Sequence, residues 1–241
     1  THPSTFRPGS MMLPFVKELN EAIQNKRYNE VKEMLANPNV PVSIDICYVK
    51  LLIRSMLQIE DPEMAQLFLA CPRIDWLALH RNRNLLTLEQ DYGIKYVPDR
   101  SRGAVNDNLD YFSYLGHSFE QKCPEEAQLI YERIIEEIVK ITPHGDRKQL
   151  LLLTCKSLIA FKVALKYNND FQSLTDSLWD LLECSAGLEI LQLLHEMGAD
   201  FTVLKNANRI LPSHTVEVAY FLYQILPEIE ENGGNFFNLS F

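Results

Sequence analysis

The chain reads LANPNV at residues 35–40 and LACPRI at residues 69–74, so one six-residue pattern returns after 34 residues. A recurrence near this length is typical of stacked helical repeats, in which each unit contributes a pair of short helices. Both copies carry a proline directly after an apolar helical pattern, and proline does not continue a helix. The sequence therefore predicts an all-α architecture, a solenoid of helical repeats.

Helical patterns surround both copies. Residues 13–36 predict two helices, the first with an apolar stripe at helical spacing and the second capped by Asn29. Residues 46–57 predict a third helix. Asp61 and Pro62 then begin a fourth, with Asp61 as N-cap and Pro62 at the first helical position. Two short helices and a turn thus form each predicted unit.

The clearest helix pair comes late in the chain. Residues 177–183 and 188–197 predict two helices separated by Ala186 and Gly187. Gly198 follows the second helix, where glycine supplies a left-handed backbone at no steric cost. We therefore expect the second helix to end at this glycine.

Residues 188–200, LEILQLLHEMGAD, resemble the second helix and exit turn of the ankyrin repeat. Shorter matches fall at residues 160–165 and 217–222, and the resemblance covers roughly two thirds of the chain. It departs from the family at residues 177–180, where Ser-Leu-Trp-Asp replaces Thr-Pro-Leu-His. That Thr and His normally bond the helix to the neighbouring loop, so other contacts must tie these repeats together. The resemblance implies degenerate repeats of the kind seen in divergent bacterial or viral proteins, and a bacterial effector that binds a host protein.

The middle of the chain does not fit the period. Residues 91–108 are polar and predict a long loop. A long helix is predicted from Pro124 to about Ile141, with Glu125 and Glu126 on a solvated face and an apolar stripe at Ala127, Ile130, Ile134, Ile138 and Ile141. The predicted organisation is a disordered or flexible N-terminus at 1–12, ankyrin-like repeats at 13–84, a helical insertion with a long loop at 85–145, ankyrin-like repeats at 146–227, and a C-terminal cap or tail at 228–241.

Composition limits the function classes. The net charge of −9 argues against nucleic acid as the main ligand and for a basic protein partner. The most apolar run, residues 150–165, contains two lysines and is too short to span a bilayer. Five dispersed cysteines without a Cys-x-x-Cys pair predict reduced thiols. No signal peptide is seen in the first residues, so we expect a cytoplasmic protein, which would act in the host cytosol if it is a secreted effector. We also expect a monomer.

Motifs for chemistry are weak. No two of the six histidines lie three or four residues apart, so neither a metal site nor a cofactor is predicted. One alternative is a cysteine-dependent hydrolase or transferase in the insertion, with Cys123 as nucleophile and His117 or His144 as base. The simpler interpretation of Cys123 and Pro124 is the start of a helix. Buried, inert thiols are predicted at three other positions: Cys47, Cys155 and Cys184.

Binding features are better supported. In an ankyrin arrangement, the turn after each helix pair projects as a finger, and the fingers line a groove. Two such fingers carry residue types that contribute strongly to interfaces: Trp76, His80, Arg81, Arg83, Lys205, Asn206 and Arg209. Packing of Trp76 under its own repeat, and simple solvation of the two arginines, remain open. The sequence thus predicts a protein–protein interaction module, a scaffold or targeting domain without catalysis of its own.

Overall fold

The chain is predominantly helical and divides into two compact units, Thr1–Ile134 and Ile135–Phe241. A computed structural model describes residues 8–38, 46–76, 115–141, 149–168, 170–205, 211–213, 215–226 and 237–239. No helix in these ranges is both long and apolar enough to cross a membrane. The expectation of a mainly helical chain is confirmed.

The first unit is built from helices, all but one of which the sequence predicted. The first of them begins at Pro8, inside the segment 1–12 that was expected to be disordered or flexible, and the helix at His117–Lys122 was not predicted. The elements of this unit are α1 (Pro8–Gln24), α2 (Tyr28–Ala36), α3 (Ile46–Ile59), α4 (Pro62–Ala70), α5 (His117–Lys122) and the part of α6 (Pro124–Ile141) that ends at Ile134. Helix α1 packs against α2 and α3, while α2 and α3 both pack against α4. The pair α1–α2 therefore lies beside the pair α3–α4, and their facing sides form one core.

The start of α2 differs from the prediction. The helix begins at Tyr28 with Arg27 as N-cap, and no side chain caps it. The predicted cap, Asn29, is an exposed residue inside the helix. The reason is the tight turn before it: Lys26 has a φ of 53°, and the carbonyl of Arg27 already accepts the amide of Val31 at 3.0 Å. The helical hydrogen-bond pattern is therefore established before Asn29 is reached.

The start of α4 follows the prediction. Asp61 is extended, and its Oδ1 accepts the amide of Glu63 at 3.1 Å, while Pro62 occupies the first turn. This arrangement satisfies one of the amides that a helix leaves unpaired at its start. The helix ends at Ala70, directly before Cys71 and Pro72.

The long helix α6 is also confirmed, from Pro124 to Ile141. The predicted stripe is buried at each position whose side chain is described: Ala127, Ile130, Ile134 and Ile138. One expectation for this helix is wrong. Glu126 was expected on a solvated face, but it is buried, and its Oε1 accepts the side-chain amide of Gln66 at 3.3 Å. The α4 surface beside it covers the carboxylate, which the sequence pattern of α6 alone does not reveal.

The second unit holds shorter helices. They are α7 (Gln149–Leu153), α8 (Leu158–Leu165), α9 (Phe171–Asp176), α10 (Leu178–Glu183), α11 (Leu188–Glu196), a 3-10 helix (Phe201–Lys205) and α12 (Val216–Ile225). The predicted pair α10–α11 and the break between its helices are confirmed. Gly198 has a φ of 88° and its amide donates to the carbonyl of His195 at 3.0 Å, so glycine ends this helix by the predicted left-handed turn.

Two short strands qualify the all-α expectation. Strand β1 (Leu211–Ser213) pairs in parallel with β2 (Phe237–Leu239), with Leu211 opposite Phe237. The chain after α12 thus returns to a segment just before it. Whether residues 228–241 act as a cap stays a prediction, and so do the predicted limits of the insertion, since residues 77–114 and 142–148 lie outside the described part of the chain.

Candidate functional site

Trp76 does not lie on an exposed ridge. Its side chain is only 5% exposed. It lies two residues after the buried Ile74, the last residue of the second copy of the repeated pattern, LACPRI. The indole Nε1 has no hydrogen-bond partner among the described residues. This burial corrects the expectation that Trp76 is exposed, while its role in binding stays a prediction.

The other predicted binding residues are mostly not described. His80, Arg81, Arg83, Asn206 and Arg209 lie outside the described residues. Lys205 ends the 3-10 helix and is half-buried. Hydrogen bonds from Thr202 lower the pKa of the Asp200 carboxyl, and the charge of Lys205 adds to this effect.

Cys123 is a poor nucleophile in this fold. Its side chain is buried at the junction of α5 and α6. Burial, with the carboxylates of Glu126, Asp61 and Glu60, raises the pKa of this thiol to about 11. The side chain of His117 is exposed, and His144 lies outside the described residues. The arrangement favours a neutral structural thiol, because the thiolate is the reactive form.

We expect iodoacetamide to label Cys123 slowly in the folded chain. Two pH units separate its pKa from the usual thiol value, so its labelling should be roughly hundredfold slower than in urea-unfolded chain at the same pH. The rate should rise as the pH approaches 11, since more thiolate forms. Mass spectrometry of labelled peptides measures this for each cysteine. Equal rates in the folded and unfolded chains would restore the thiol-enzyme alternative.

Arginine side chains tie successive helices together in the first unit. The carbonyl of Leu35, near the end of α2, accepts a hydrogen bond from Arg73 at 2.5 Å. The carbonyl of Leu69, near the end of α4, accepts one from Arg133 of α6 at 2.6 Å. Leu35 and Leu69 occupy the same position in the two copies of the repeated pattern. An equivalent carbonyl is therefore capped by a later arginine in each copy.

Polar contacts also join the ends of helices in the first unit. The hydroxyl of Tyr28 donates to Asp61, the N-cap of α4, and this bond raises the pKa of Tyr28 to about 12. Lys122 of α5 forms an ion pair with Glu60 at 2.5 Å, and with a hydrogen bond from Ser118 it lowers the pKa of that carboxyl. These bonds, with the two arginine contacts, tie the helices of the first unit together.

The second unit holds an open pocket of ≈ 400 Å³ beside the exit turn of α11. Eight residues line it: His195, Gly198, Ala199, Asp200, Phe201, Thr202, Ile225 and Leu226. The pocket thus lies between the Gly-Ala-Asp-Phe turn and the end of α12. The sequence analysis singled out that turn but did not predict the pocket, because its other wall comes from α12.

Three aromatic rings meet edge to face beside the pocket. The His195 ring lies 5.5 Å from Phe201 and 5.9 Å from Phe221 between centroids, and Phe201 lies 6.2 Å from Phe221. His195 lies in the last turn of α11, where the helix dipole favours a basic side chain. Its edge-on packing gives the ring a second role, because edge-to-face aromatic contacts stabilise a fixed geometry. The three rings therefore fix the positions of α11, the 3-10 helix and α12 relative to one another.

Asp200 is held as a carboxylate in the same turn. Its Oδ1 accepts the amide of Thr202 at 3.0 Å and the hydroxyl of Thr202 at 2.5 Å, which lowers the pKa of the carboxyl. Its own amide donates to the hydroxyl of Thr175 at 3.1 Å. The turn thus presents a fixed negative charge at the edge of a pocket with aromatic and aliphatic walls.

Among the described residues, no group of three or more His, Cys, Asp and Glu side chains is arranged to hold a metal ion. No protein-family model matches the chain, and comparison with curated proteins and with solved structures finds no significant similarity to either. The resemblance to ankyrin repeats stays a prediction.

Proposed function

We propose that this protein recognises another protein through degenerate ankyrin-like repeats and catalyses no reaction of its own. It acts as a scaffold or targeting module in the cytoplasm, as a monomer, or in the host cytosol as a bacterial effector. Helical-repeat arrays are suited to this role because stacked units present an extended surface. The buried, neutral Cys123 gives the thiol-enzyme alternative no comparable support.

The recurrent arginine contact carries this proposal. The carbonyls of Leu35 and Leu69 stand 34 residues apart, and each accepts a hydrogen bond from an arginine later in the chain. The two acceptors occupy the same position of the repeated pattern, although their donors lie 38 and 64 residues further along the chain. This recurrence of the acceptor supports an array over an unrelated bundle of helices.

The pocket beside the exit turn of α11 is the proposed contact point. Phe201 and Ile225 contribute apolar surface to its lining, His195 contributes a ring, and Asp200 supplies a negative charge. A lysine or arginine of the partner matches this combination, because its aliphatic stem packs on apolar walls and its charged end reaches a carboxylate. The net charge of −9 favours the same basic class of partner.

Affinity capture with two matched variants tests the proposal. Thr202→Arg places a competing positive charge at the pocket, and Gln192→Arg adds the same charge at an exposed site on α11 that does not line it. We expect a cross-linked partner to be lost with Thr202→Arg, by roughly tenfold or more in yield, and kept with Gln192→Arg. Cross-linked peptides should place a basic residue of the partner beside residues 198–202.

Three results would contradict the pocket as the contact point. Equal capture by both variants is the first, and loss with both is the second, because it would reflect charge alone. The third is a loss of capture only in a variant that carries Arg81→Ala, Arg83→Ala and Lys205→Ala together. This result would place the contact on the predicted fingers instead. Failure of the unaltered chain to bind any protein would contradict the function itself.

A further inference from the structure

Two cysteines that the sequence predicts separately as inert thiols lie together in the second unit. Cys155 follows α7 and Cys184 follows α10, 29 residues later, and these two helices pack against each other. The Cys155 thiol is within 3.7 Å of the Cys184 carbonyl oxygen, and each thiol shifts the pKa of the other. Both are free thiols, and Cys155 is buried while Cys184 is partly exposed.

The backbone holds this pair in place. After Cys184, Ser185 takes a φ of 59°, and the amide of Ala186 returns to the carbonyl of Leu181 at 2.9 Å. This fixed turn ends α10. Lys156, next to Cys155, donates from its ammonium to the Cys184 carbonyl at 2.7 Å, which bridges the two turns. The thiols therefore share one site formed by two helix ends.

The two thiols differ in ionisation. Donation from Cys155 lowers the pKa of Cys184, and the Lys156 charge acts in the same direction, against the carboxylates of Asp180 and Glu183. The pKa of Cys155 is raised by its hydrogen bond to Cys184 and by burial. The accessible sulfur is thus the better nucleophile, and the buried sulfur beside it is a neutral thiol.

We propose that Cys184 and Cys155 form a peroxide-sensitive dithiol, with Cys184 as the sulfur that is oxidised and Cys155 as the thiol that resolves it. The Cys184 thiolate attacks one oxygen of hydrogen peroxide, the O–O bond breaks, and hydroxide leaves with the electron pair. Cys184 becomes a sulfenic acid. The sulfur of Cys155 then attacks the sulfenic sulfur, loses its proton, and displaces the hydroxyl group as water. The product is one intramolecular disulfide, and peroxide has been reduced by two electrons.

Cys71 provides a matched control for this site. It is also buried, and its thiol also faces a main-chain carbonyl, that of Leu35 at 3.5 Å. Within the described residues, Cys71 differs from Cys184 in two ways: no second cysteine interacts with it, and it is buried whereas Cys184 is partly exposed. Exposure alone accounts for a difference in oxidation rate, so the disulfide between Cys155 and Cys184 is the result that reports on the pair.

The experiment treats the folded full chain with hydrogen peroxide and maps its cysteines by mass spectrometry without reduction. We expect a disulfide between Cys155 and Cys184 and roughly tenfold faster oxidation of Cys184 than of Cys71. In Cys155→Ser, dimedone should trap Cys184 as a sulfenic acid and the disulfide should be absent. Lys156→Met should slow oxidation of Cys184, since it removes the neighbouring positive charge.

The proposal is overturned by equal oxidation of Cys184 and Cys71, by a disulfide to any other cysteine, or by links between chains only. Circular dichroism of Cys155→Ser first establishes that the variant is helical. If it is unfolded, the disulfide map and the relative rates in the unaltered chain still decide the question. Binding of the partner plays no part in these measurements, so their outcome is separate from that of the capture experiment.

Discussion

Replacement of Phe68 by alanine is expected to reduce the free energy of unfolding of the first unit by about 3–5 kcal/mol, the usual cost of removing a buried aromatic ring. Phe68 is 1% exposed on α4. It lines one narrow gap with Leu35 of α2 and Ile53 of α3, and the gap is too small for a water molecule. The ring therefore packs where three helices meet. Urea denaturation followed by circular dichroism measures the loss.

Phe15→Ala supplies the control for this prediction. The chemical change is identical and lies in the same unit, but the Phe15 ring on α1 is 40% exposed. We expect it to cost no more than about 1–2 kcal/mol, because part of the ring already contacts water. Similar losses for the two variants would mean that Phe68 does not join the two helix pairs in one core.

Arg133→Met is expected to destabilise the first unit by about 1–2 kcal/mol. The guanidinium donates to the carbonyl of Leu69, which stands among the last carbonyls of α4 that the helix cannot pair. Charge-assisted hydrogen bonds usually contribute about 1.5–3 kcal/mol, and partial exposure of Arg133 to water reduces the value. Methionine keeps most of the apolar length, so the loss reports mainly the missing donor.

An exposed arginine on α3 serves as the reference for that variant. Arg54→Met removes the same charge from the same unit, and we expect its effect to stay within about 0.5 kcal/mol. Arg73→Met should cost less than Arg133→Met, because the Leu35 carbonyl keeps the Cys71 thiol as a donor. Amide hydrogen exchange at the end of α4 should accelerate in Arg133→Met. Unchanged exchange there, with unchanged stability, would remove the role assigned to this contact.

The elements that were predicted correctly are marked by residues that lie close to them in the sequence. Asp61 followed by Pro62 marks a helix start by hydrogen bonding and fixed φ, and Gly198 marks a helix end by its left-handed turn. The buried stripe of α6 follows from spacing alone. Such signals lie within a few residues of the feature they define, so they can be recognised without knowing the fold.

The features that were missed depend on residues distant in sequence. Arg133 donates to the Leu69 carbonyl although the two residues lie 64 positions apart, and no sequence pattern near either residue indicates this contact. The pairing of Cys155 with Cys184 arises in the same way, since each thiol alone resembles an ordinary core residue. The pocket also needs both the turn at Asp200 and the end of α12. Tertiary packing brings these residues together, and the local periodicity of the sequence does not predict which distant residues will meet.

The direction of the arginine contacts has a consequence for synthesis on the ribosome. The donor for Leu35 lies 38 residues further along the chain, and the donor for Leu69 lies 64 residues further. Since the chain emerges from its N-terminus, each of these helices exists for a time before the side chain that caps it has been made. The early helices therefore complete their hydrogen bonds only when later ones arrive, and translation pauses after residue 70 would prolong an incompletely bonded α4.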